Sequence, residues 1–323
     1  MFGHIVETRR KKTLADFRKM KEDGVPLSWI TAYDYPLAQC AEAAGVDMIL
    51  VGDSGGMTQL GYATTNPVTM DEMIVLAKAV RRGAPNTFIV GDMPQGSYEI
   101  SVEEAVRNAL RFIKEAGCDA IKCEGGIRVI DKVEAMVKAG IAVIGHLGLT
   151  PQSTVSFGGY KVQGKTPEGF KAIVEDALAL QNGGVFCLLL EAMPTEPAGK
   201  LRDILHIPVY GIGAGKDVDG QLIIIHDLLG FYDAFRPYFA KCFVPTSIAG
   251  YLQHLAGDTN LPMLGRKERS DGIGYLVVDV IKAYIQAVTF KEFPNAEYSY
   301  KMKEEELTIL TSCEAWTRGY REF

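Results

Sequence analysis

Short apolar runs alternate with amphipathic stretches along most of the chain. A polar or glycine-rich turn follows each apolar run, and the stretches between the runs carry apolar residues at helical spacing. The runs, which predict strands, cover residues 28–33, 48–52, 87–92, 120–123, 142–146, 185–191, 208–212 and 239–244. The clearest helical stretches are 69–82, 102–116, 129–139 and 167–182.

Eight strands in alternation with helices predict a (β/α)8 barrel. The continuous apolar character of several runs is typical of buried parallel strands. A doubly wound sheet is the alternative, but such a sheet usually has a glycine fingerprint after its first strand. The first turn here begins Asp34-Tyr-Pro and has no such fingerprint.

The ends of the chain do not follow the repeat. Thr13 and Asp16 form a capping-box pattern and Gly24 is placed as a helix stop, so we expect a helix over 13–23. We divide the chain into an N-terminal arm and helix, a barrel, an insertion, a C-terminal helix that packs on the barrel, and a tail. Their bounds are 1–24, 25–244, 245–274, 275–300 and 301–323. We expect the insertion and tail at an oligomer interface or over the barrel mouth.

Composition narrows the possible functions. The chain has 323 residues, 47% of them hydrophobic, and a net charge of −6, which excludes a disordered chain. With no long basic stripe, no 18-residue apolar run and a polar N-terminus, we expect neither nucleic acid nor a membrane as partner, and no signal peptide. The six cysteines form no CxxC pair, which favours reduced side chains in a cytoplasmic protein.

Ionisable side chains stand at the ends of five consecutive predicted strands. Active-site groups of such barrels lie at these carboxyl ends. They are Asp53, Asp92, Lys122 with Glu124, His146 and Glu191. Few carboxylate ligands with open positions suit Mg²⁺, whereas zinc would require more His or Cys partners. We therefore expect Asp53, Asp92 and Glu124 to converge on a magnesium site.

The remaining strand-end groups suggest the reaction. Lys122 beside a metal could hold a substrate carboxylate. Glu191 ends an apolar run, so burial should raise its pKa and suit it to proton abstraction. A divalent metal together with a general base is suited to enolising a 2-oxo acid. The metal chelates one carboxylate oxygen and the ketone oxygen and stabilises the enolate, and the base removes the adjacent C–H proton. The residues alone leave open which carboxylate is the base.

Several longer motifs share a likeness to one family. They include Gly52-Asp-Ser-Gly-Gly-Met57, Lys122-Cys-Glu-Gly-Gly126, Gly145-His-Leu-Gly-Leu-Thr-Pro-Gln-Ser153, Gly158-Gly-Tyr-Lys-Val-Gln-Gly164 and Gly211-Ile-Gly-Ala-Gly215. In order and content they resemble the ketopantoate hydroxymethyltransferase family, also called 3-methyl-2-oxobutanoate hydroxymethyltransferases. The likeness runs from about residue 26 to 244 and resumes over 275–300.

The resemblance implies a (β/α)8 TIM barrel of the phosphoenolpyruvate mutase and isocitrate lyase superfamily. It also implies transfer of a one-carbon unit from 5,10-methylenetetrahydrofolate to 3-methyl-2-oxobutanoate, which gives 2-dehydropantoate for pantothenate synthesis. By motif, Asp53 and Asp92 would bind Mg²⁺ and Glu124 would support the metal. Members of the family usually assemble as homodecamers, so a homo-oligomer is expected.

The same resemblance assigns the remaining roles. Ser54 and Lys122 would hold the oxo acid, His146 would face its reacting end, and Glu191 would be the base. It assigns no residue to folate. The chain departs from the family pattern at Gly55, where Leu is usual, over 63–69, and after the base, where Ala192-Met-Pro replaces Cys-Val-Pro.

These departures keep other functions open. A paralogue acting on another 2-oxo acid, or a C–C lyase, would use the same enolate chemistry. Residues 159–166, Gly-Tyr-Lys-Val-Gln-Gly-Lys-Thr, match the P-loop pattern, but no predicted strand leads directly into them. A nucleotide-binding protein and an inactive barrel used as a scaffold are the remaining alternatives. The pair His226-Asp227 is interpreted as structural, because adjacent side chains face apart.

Overall fold

Eight parallel strands close into a single barrel in the computed structural model, which describes residues 9–245 and 273–312. Each strand pairs with the next, and the last pairs with the first. In chain order the strands are β1 Leu27–Thr31, β2 Met48–Val51, β3 Phe88–Asp92, β4 Ala120–Glu124, β5 Val143–Gly148, β6 Cys187–Glu191, β7 Val209–Ile212 and β8 Gly220–Ile223. The predicted (β/α)8 barrel is confirmed.

Helices surround the barrel and extend it at both ends of the chain. The α-helices are Leu14–Asp23, Tyr35–Ala44, Gly55–Thr58, Met70–Gly83, Val102–Lys114, Ile130–Lys138, Thr154–Phe157, Pro167–Asn182, Thr195–Ile204, Ile225–Leu229, Ile273–Thr289 and Glu304–Ser312. Single 3₁₀ turns lie at Ile127–Val129, Pro151–Ser153 and Ala296–Tyr298. None of these helices combines the length and the apolar run needed to cross a membrane.

The eighth strand differs from the prediction. It is Gly220–Ile223, whereas the apolar run 239–244 forms no strand. Within that run the ring of Phe243 packs edge-on against Tyr284, with centroids 5.7 Å apart. No helix separates β7 from β8, so the alternation that marks the other strands is absent there. Gly220 also interrupts the apolar pattern, because a Cβ at that position would lie 2.4 Å from the carbonyl oxygen of Leu27.

The N-terminal helix closes the lower end of the barrel. Asp16 accepts a hydrogen bond from the backbone N–H of Thr13 at 2.7 Å, and Gly24 ends the helix with φ at 67°, as the capping pattern predicts. Phe17 is fully buried, and its ring meets that of Phe88 edge-on with centroids 4.9 Å apart. Phe88 begins β3, so Phe17 seals the end of the barrel opposite the carboxyl ends of the strands.

A packed interior separates this lower seal from the upper end of the barrel. Apolar side chains from alternating strand positions fill the space inside the sheet. They include Trp29, Leu50, Val90, Ile144, Leu189, Tyr210 and Leu222. The barrel is therefore a solid core, and only its upper surface is free to form a site.

The helix Ile273–Thr289 covers the seam where β8 meets β1. It packs against the helix Tyr35–Ala44 and against β1. The buried hydroxyl of Tyr284 lies 2.6 Å from the carbonyl oxygen of Gln221 and 3.0 Å from that of Trp29, and donates toward both. Residues 246–272 and 313–323, which hold most of the predicted insertion and the end of the tail, lie outside the described residues.

Removing the Tyr284 hydroxyl tests this seam. In Tyr284→Phe the two strand carbonyls lose their shared donor, so we expect the free energy of unfolding to fall by about 1–2 kcal/mol. Urea denaturation followed by circular dichroism measures the loss. The control is Tyr35→Phe, whose exposed hydroxyl contacts only Gln39 among the described side chains and should change stability by less than about 0.5 kcal/mol. An equal effect of the two changes would contradict the role of Tyr284.

Candidate active site

All seven site residues predicted from the sequence line one cleft at the carboxyl ends of the strands. The cleft encloses about 790 Å³, including the part open to solvent. The seven are Asp53, Ser54, Asp92, Lys122, Glu124, His146 and Glu191. Asp92, Glu124 and Glu191 are the last residues of β3, β4 and β6, so the strand ends position them directly.

Strand register brings opposite charges together. Lys122 lies beside Asp92 in the pairing of β3 with β4, and its Nζ is 2.8 Å from Asp92 Oδ1. Glu124 Oε1 is 3.8 Å from the same Nζ, and all three side chains are at most 3% exposed. Burial alone would lower the pKa of Lys122, but the surrounding carboxylates, Asp92 first, raise it, so the ammonium stays charged.

Two neighbouring aspartates share this buried space. Burial and the charge of Asp92 raise the pKa of Asp53 well above its usual value. Burial also raises the pKa of Asp92, although Lys122 opposes the shift. The backbone N–H of Asp53 donates to Asp92 Oδ2 at 3.0 Å, which holds the two residues side by side. A divalent cation at this point would relieve their mutual repulsion.

His146 bridges two carboxylates. Its Nδ1 lies 3.3 Å from Glu124 Oε1 and its Nε2 lies 3.3 Å from Glu191 Oε2. Burial and the nearby Lys122 lower the pKa of His146, but the two carboxylates outweigh them and the net pKa is raised. Burial raises the pKa of Glu191, and His146 partly offsets the shift. Glu191 thus has the raised pKa that the sequence predicts, and the imidazole of His146 lies within 3.3 Å of its carboxylate.

Gln152 and Tyr98 are part of the site, and sequence reasoning missed both. The Gln152 side chain donates to Asp53 Oδ2 at 2.9 Å, and its backbone N–H donates to Glu124 Oε2 at 3.0 Å. The Tyr98 hydroxyl donates to Gln152 Oε1 at 2.7 Å. Gln152 lies in the Gly145–Ser153 motif, so the motif could have pointed to it. The search for ionisable side chains at strand ends passes over it, because its amide is neutral.

The residues that depart from the family pattern have visible structural roles. The Tyr33 hydroxyl lies 2.8 Å from Ser54 Oγ, and a Cβ on Gly55 would lie 2.6 Å from the Tyr33 ring. Gly55 therefore leaves the room in which Tyr33 reaches Ser54. After Glu191, Ala192 has a left-handed backbone with φ at 47°, which is unusual for a residue with a side chain.

The donor set fits a magnesium ion. Asp53, Asp92 and Glu124 offer hard oxygen atoms, and Glu124 Oε1 is buried with no hydrogen bond to satisfy it. Across residues 9–245 and 273–312, no three His, Cys, Asp or Glu side chains form a ready-made metal cage. Mg²⁺ is commonly held by one or two carboxylates with water and substrate completing its shell, so such a cage is not needed.

Comparison with known proteins supplies the family. The sequence profile of ketopantoate hydroxymethyltransferase matches residues 11–250. The chain belongs to the ketopantoate hydroxymethyltransferase family. A relative from Geobacillus sp. (strain WCH70), a 3-methyl-2-oxobutanoate hydroxymethyltransferase, is 46% identical over 299 residues, which cover 93% of this chain and 98% of the relative. The expected enzyme class, a hydroxymethyltransferase, is confirmed.

Solved structures share the fold of this family member at low sequence identity. Phosphonopyruvate hydrolase in complex with oxalate and Mg²⁺ has a TM-score of 0.55 and 13% identity, over 87% of this chain and 99% of that one. A 2,3-dimethylmalate lyase of the PEP mutase/isocitrate lyase superfamily has a TM-score of 0.51 and 15% identity, over 85% and 98% of the two chains. These structures share the expected barrel fold.

The P-loop match lacks the required structural context. The helix Thr154–Phe157 separates β5 from the segment 159–166, so no strand leads into the loop. The hydroxyl of Thr166 caps the helix that follows, accepting from the N–H of Gly169 at 3.2 Å. The segment therefore forms a cap and a loop of the hydroxymethyltransferase barrel, and its Tyr160 lines the cleft.

Removing the buried cation tests the electrostatics of the site. In Lys122→Met the carboxylates Asp92 and Glu124 lose their counter-charge, so we expect the free energy of unfolding to fall by about 3–5 kcal/mol. Urea denaturation in EDTA measures the loss. Lys138→Met is the matched control, because Lys138 is 75% exposed in its ion pair with Glu134 and should contribute less than about 0.5 kcal/mol. A similarly small loss in Lys122→Met would show that the buried ammonium is not needed for stability.

Proposed function

We propose that this chain transfers a hydroxymethyl group from 5,10-methylenetetrahydrofolate to 3-methyl-2-oxobutanoate and forms 2-dehydropantoate for pantothenate synthesis. The observation that carries the proposal is the placement of a largely buried base, Glu191, in the same cleft as the aspartate pair Asp53 and Asp92. Family membership supports the same reaction, because the relative from Geobacillus sp. bears the name of this activity.

Asp53 and Asp92 are proposed to hold Mg²⁺, with Glu124 supporting the metal shell. When bound, Mg²⁺ would act as a Lewis acid that stabilises negative charge developing on the oxo acid. Gln152 fixes the orientation of Asp53 through the 2.9 Å hydrogen bond to Oδ2. Glu124 is fixed in turn by the backbone N–H of Gln152. Such outer contacts preset carboxylate ligands for their ion.

Lys122 and Ser54 are proposed to bind the oxo acid. The ammonium of Lys122 stays charged among the carboxylates and faces the cleft, so it offers a fixed cation to the substrate carboxylate. Ser54 offers a hydroxyl whose position is set by the 2.8 Å contact with Tyr33. A substrate held at these two points is fixed in orientation before the chemical step.

Glu191 is proposed as the base that removes the proton from C3 of the bound acid. Burial raises the pKa of Glu191, which makes the carboxylate a stronger proton acceptor than an exposed one. His146 orients it from 3.3 Å and faces the reacting end of the substrate. The nucleophilic C3 then forms a bond to the methylene carbon of the folate, and both bonds from that carbon to nitrogen break. Water supplies the hydroxyl group, and the two nitrogens end as N–H, with one proton from C3 by way of Glu191 and one from the water.

The resemblance to the family supports two further proposals. The chain is proposed to act in the cytoplasm as a homo-oligomer, with the decamer as the expected assembly. The segments 245–274 and 301–323 are proposed to lie at an interface between subunits or over the barrel mouth. For the rest of the chain we propose the division given for the sequence, with the N-terminal arm and helix at 1–24, the barrel at 25–244 and the C-terminal helix at 275–300.

Proton exchange without folate tests the proposed chemistry. In D₂O, the wild-type protein with Mg²⁺ should replace the C3 proton of 3-methyl-2-oxobutanoate with deuterium, as followed by proton NMR. In Glu191→Gln the base is lost, so the exchange rate should fall at least about 100-fold. Glu175→Gln, an exposed change on the helix Pro167–Asn182, should keep the wild-type rate.

Two results would overturn the mechanism. Absence of Mg²⁺-dependent exchange by the wild type would remove the enolisation step. Full exchange by Glu191→Gln would remove Glu191 as base. A faster reaction with a differently branched 2-oxo acid would instead favour a paralogue that acts on another substrate. The close approach of Gly55 to the Tyr33 ring, at a position where the family usually has Leu, is the structural reason to consider it.

Gln152 provides a separate test of the metal site. In Gln152→Ala the hydrogen bond that orients Asp53 is lost, so affinity for a divalent ion should fall roughly 10- to 100-fold. Electron paramagnetic resonance of added Mn²⁺ measures the affinity without any turnover. The control is Gln95→Ala, an exposed glutamine in the loop after β3, which should bind Mn²⁺ as the wild type does. Unchanged affinity in Gln152→Ala would contradict the assigned role.

A further inference from the structure

Asp227 is a buried carboxylate that the proposed mechanism does not use. It follows β8, is 4% exposed, and lines the same cleft as the catalytic groups. Among the described residues, its carboxylate makes no hydrogen bond. Burial raises the pKa of Asp227 to about 6, and the charge of Arg236 only partly offsets the shift. Because Asp227 lines the cleft, a bound ligand could supply the donors that its carboxylate lacks.

The position of Asp227 separates it from the carboxylates that surround the metal site. Those groups stand on β2 through β6, whereas Asp227 stands beyond β8, next to Tyr33 at the end of β1. Apolar side chains of Ile212, Leu222 and Ile224 form the wall on this side of the cleft. A ligand that reaches Asp227 would therefore contact an apolar surface on the β7 and β8 side of the cleft.

Two aromatic rings line the same cleft. They are Tyr160, in the loop after β5, and Phe235, in the loop after β8. Their ring centroids are 5.3 Å apart with 30° between the ring planes. Both side chains are nearly half exposed, at 46% and 41%, although aromatic residues of a barrel usually pack away from water. A cleft that holds both an exposed aromatic pair and a buried carboxylate is suited to a flat, nitrogen-rich ring.

We propose that this end of the cleft binds the pterin ring of the folate co-substrate. The carboxylate of Asp227 accepts hydrogen bonds from the 2-amino group and the neighbouring N3–H of the ring, which present two donors side by side. Tyr160 and Phe235 cover the ring face, and the apolar wall contacts the opposite face. The inference rests on the proposed function, because that reaction supplies the folate.

Alternative ligands fit these observations less well. A second metal ion would require more donors, and among the described residues that line the cleft Asp227 is the one carboxylate that follows β7 or β8. A simple ammonium group would satisfy the charge of Asp227, but would leave the aromatic pair and the apolar wall without a partner. A planar ring with adjacent N–H donors satisfies the carboxylate, the rings and the wall together.

The main experiment separates folate binding from the chemistry at C3. In Asp227→Asn the charge is lost and an amide N–H faces the N–H donors of the ring, so the KM for 5,10-methylenetetrahydrofolate should rise about 10- to 100-fold. The folate-free deuterium exchange should fall far less than this, by under about threefold. Asp233→Asn is the matched control, because Asp233 is an exposed carboxylate in the loop after the helix Ile225–Leu229 and lies outside the cleft lining.

A ligand change distinguishes direct contact from a structural effect. The wild type should bind tetrahydrofolate at least about tenfold more tightly than its 2-desamino-2-methyl analogue, as measured by calorimetry, because the analogue lacks the exocyclic donor. In Asp227→Asn this preference should largely disappear. If Asp227→Asn acts only by disturbing the fold, it should lower the affinity for both ligands by the same factor and keep the preference for tetrahydrofolate. That result would overturn the proposal.

The aromatic pair gives an independent measurement. Phe235→Ala removes the stacking surface and should weaken tetrahydrofolate binding roughly 5- to 20-fold. Phe231→Ala, a change of an exposed ring in the same loop that does not line the cleft, should leave the affinity unchanged. Normal exchange with unchanged folate KM in Asp227→Asn would refute this inference alone, whereas absence of exchange by the wild type would refute the proposed function.

Discussion

The buried ammonium of Lys122 is the interaction on which the upper end of the barrel depends. Three carboxylates, those of Asp53, Asp92 and Glu124, lie in one water-poor space, where their mutual repulsion is only weakly screened. Lys122 gives this space a single fixed cation, 2.8 Å from Asp92. The register of β3 and β4 places the two side chains opposite each other, so the strand pairing and the charge pairing support the same geometry.

The remaining polar contacts extend outward from this pair. Gln152 connects Asp53 with Glu124, and His146 connects Glu124 with Glu191. A displacement of one carboxylate would therefore be transmitted to its neighbours. The solid apolar interior beneath them provides the rigid floor that such a network requires, since packed cores resist small displacements.

The sequence was enough to predict the barrel and the charged part of the site. Buried parallel strands are recognisable as apolar runs, and the carboxyl ends of the strands in a barrel lie at the same end. The sequence therefore predicts that Asp53 and Glu191 are close together, although 138 positions of the chain separate them. The position of β8 could not be predicted in this way, because the strand is only four residues long and begins with a glycine and a glutamine. The sequence also does not predict the contacts of three neutral side chains with the charged groups, because such contacts are visible only in the structure. These side chains are Gln152, Tyr98 and Tyr33.

The helix Ile273–Thr289 has a consequence for the order in which the barrel is completed. Its Tyr284 contacts carbonyl groups of both β1 and β8, which are the first and last strands of the sheet. During synthesis, all eight strands leave the ribosome before this helix does. Until the helix arrives, the outer apolar face of the seam between β1 and β8 lacks its cover, and exposed apolar surface of this kind invites association with other chains. The helix thus protects the seam from misassembly, and the nascent barrel gains that protection only after its last strand has been made.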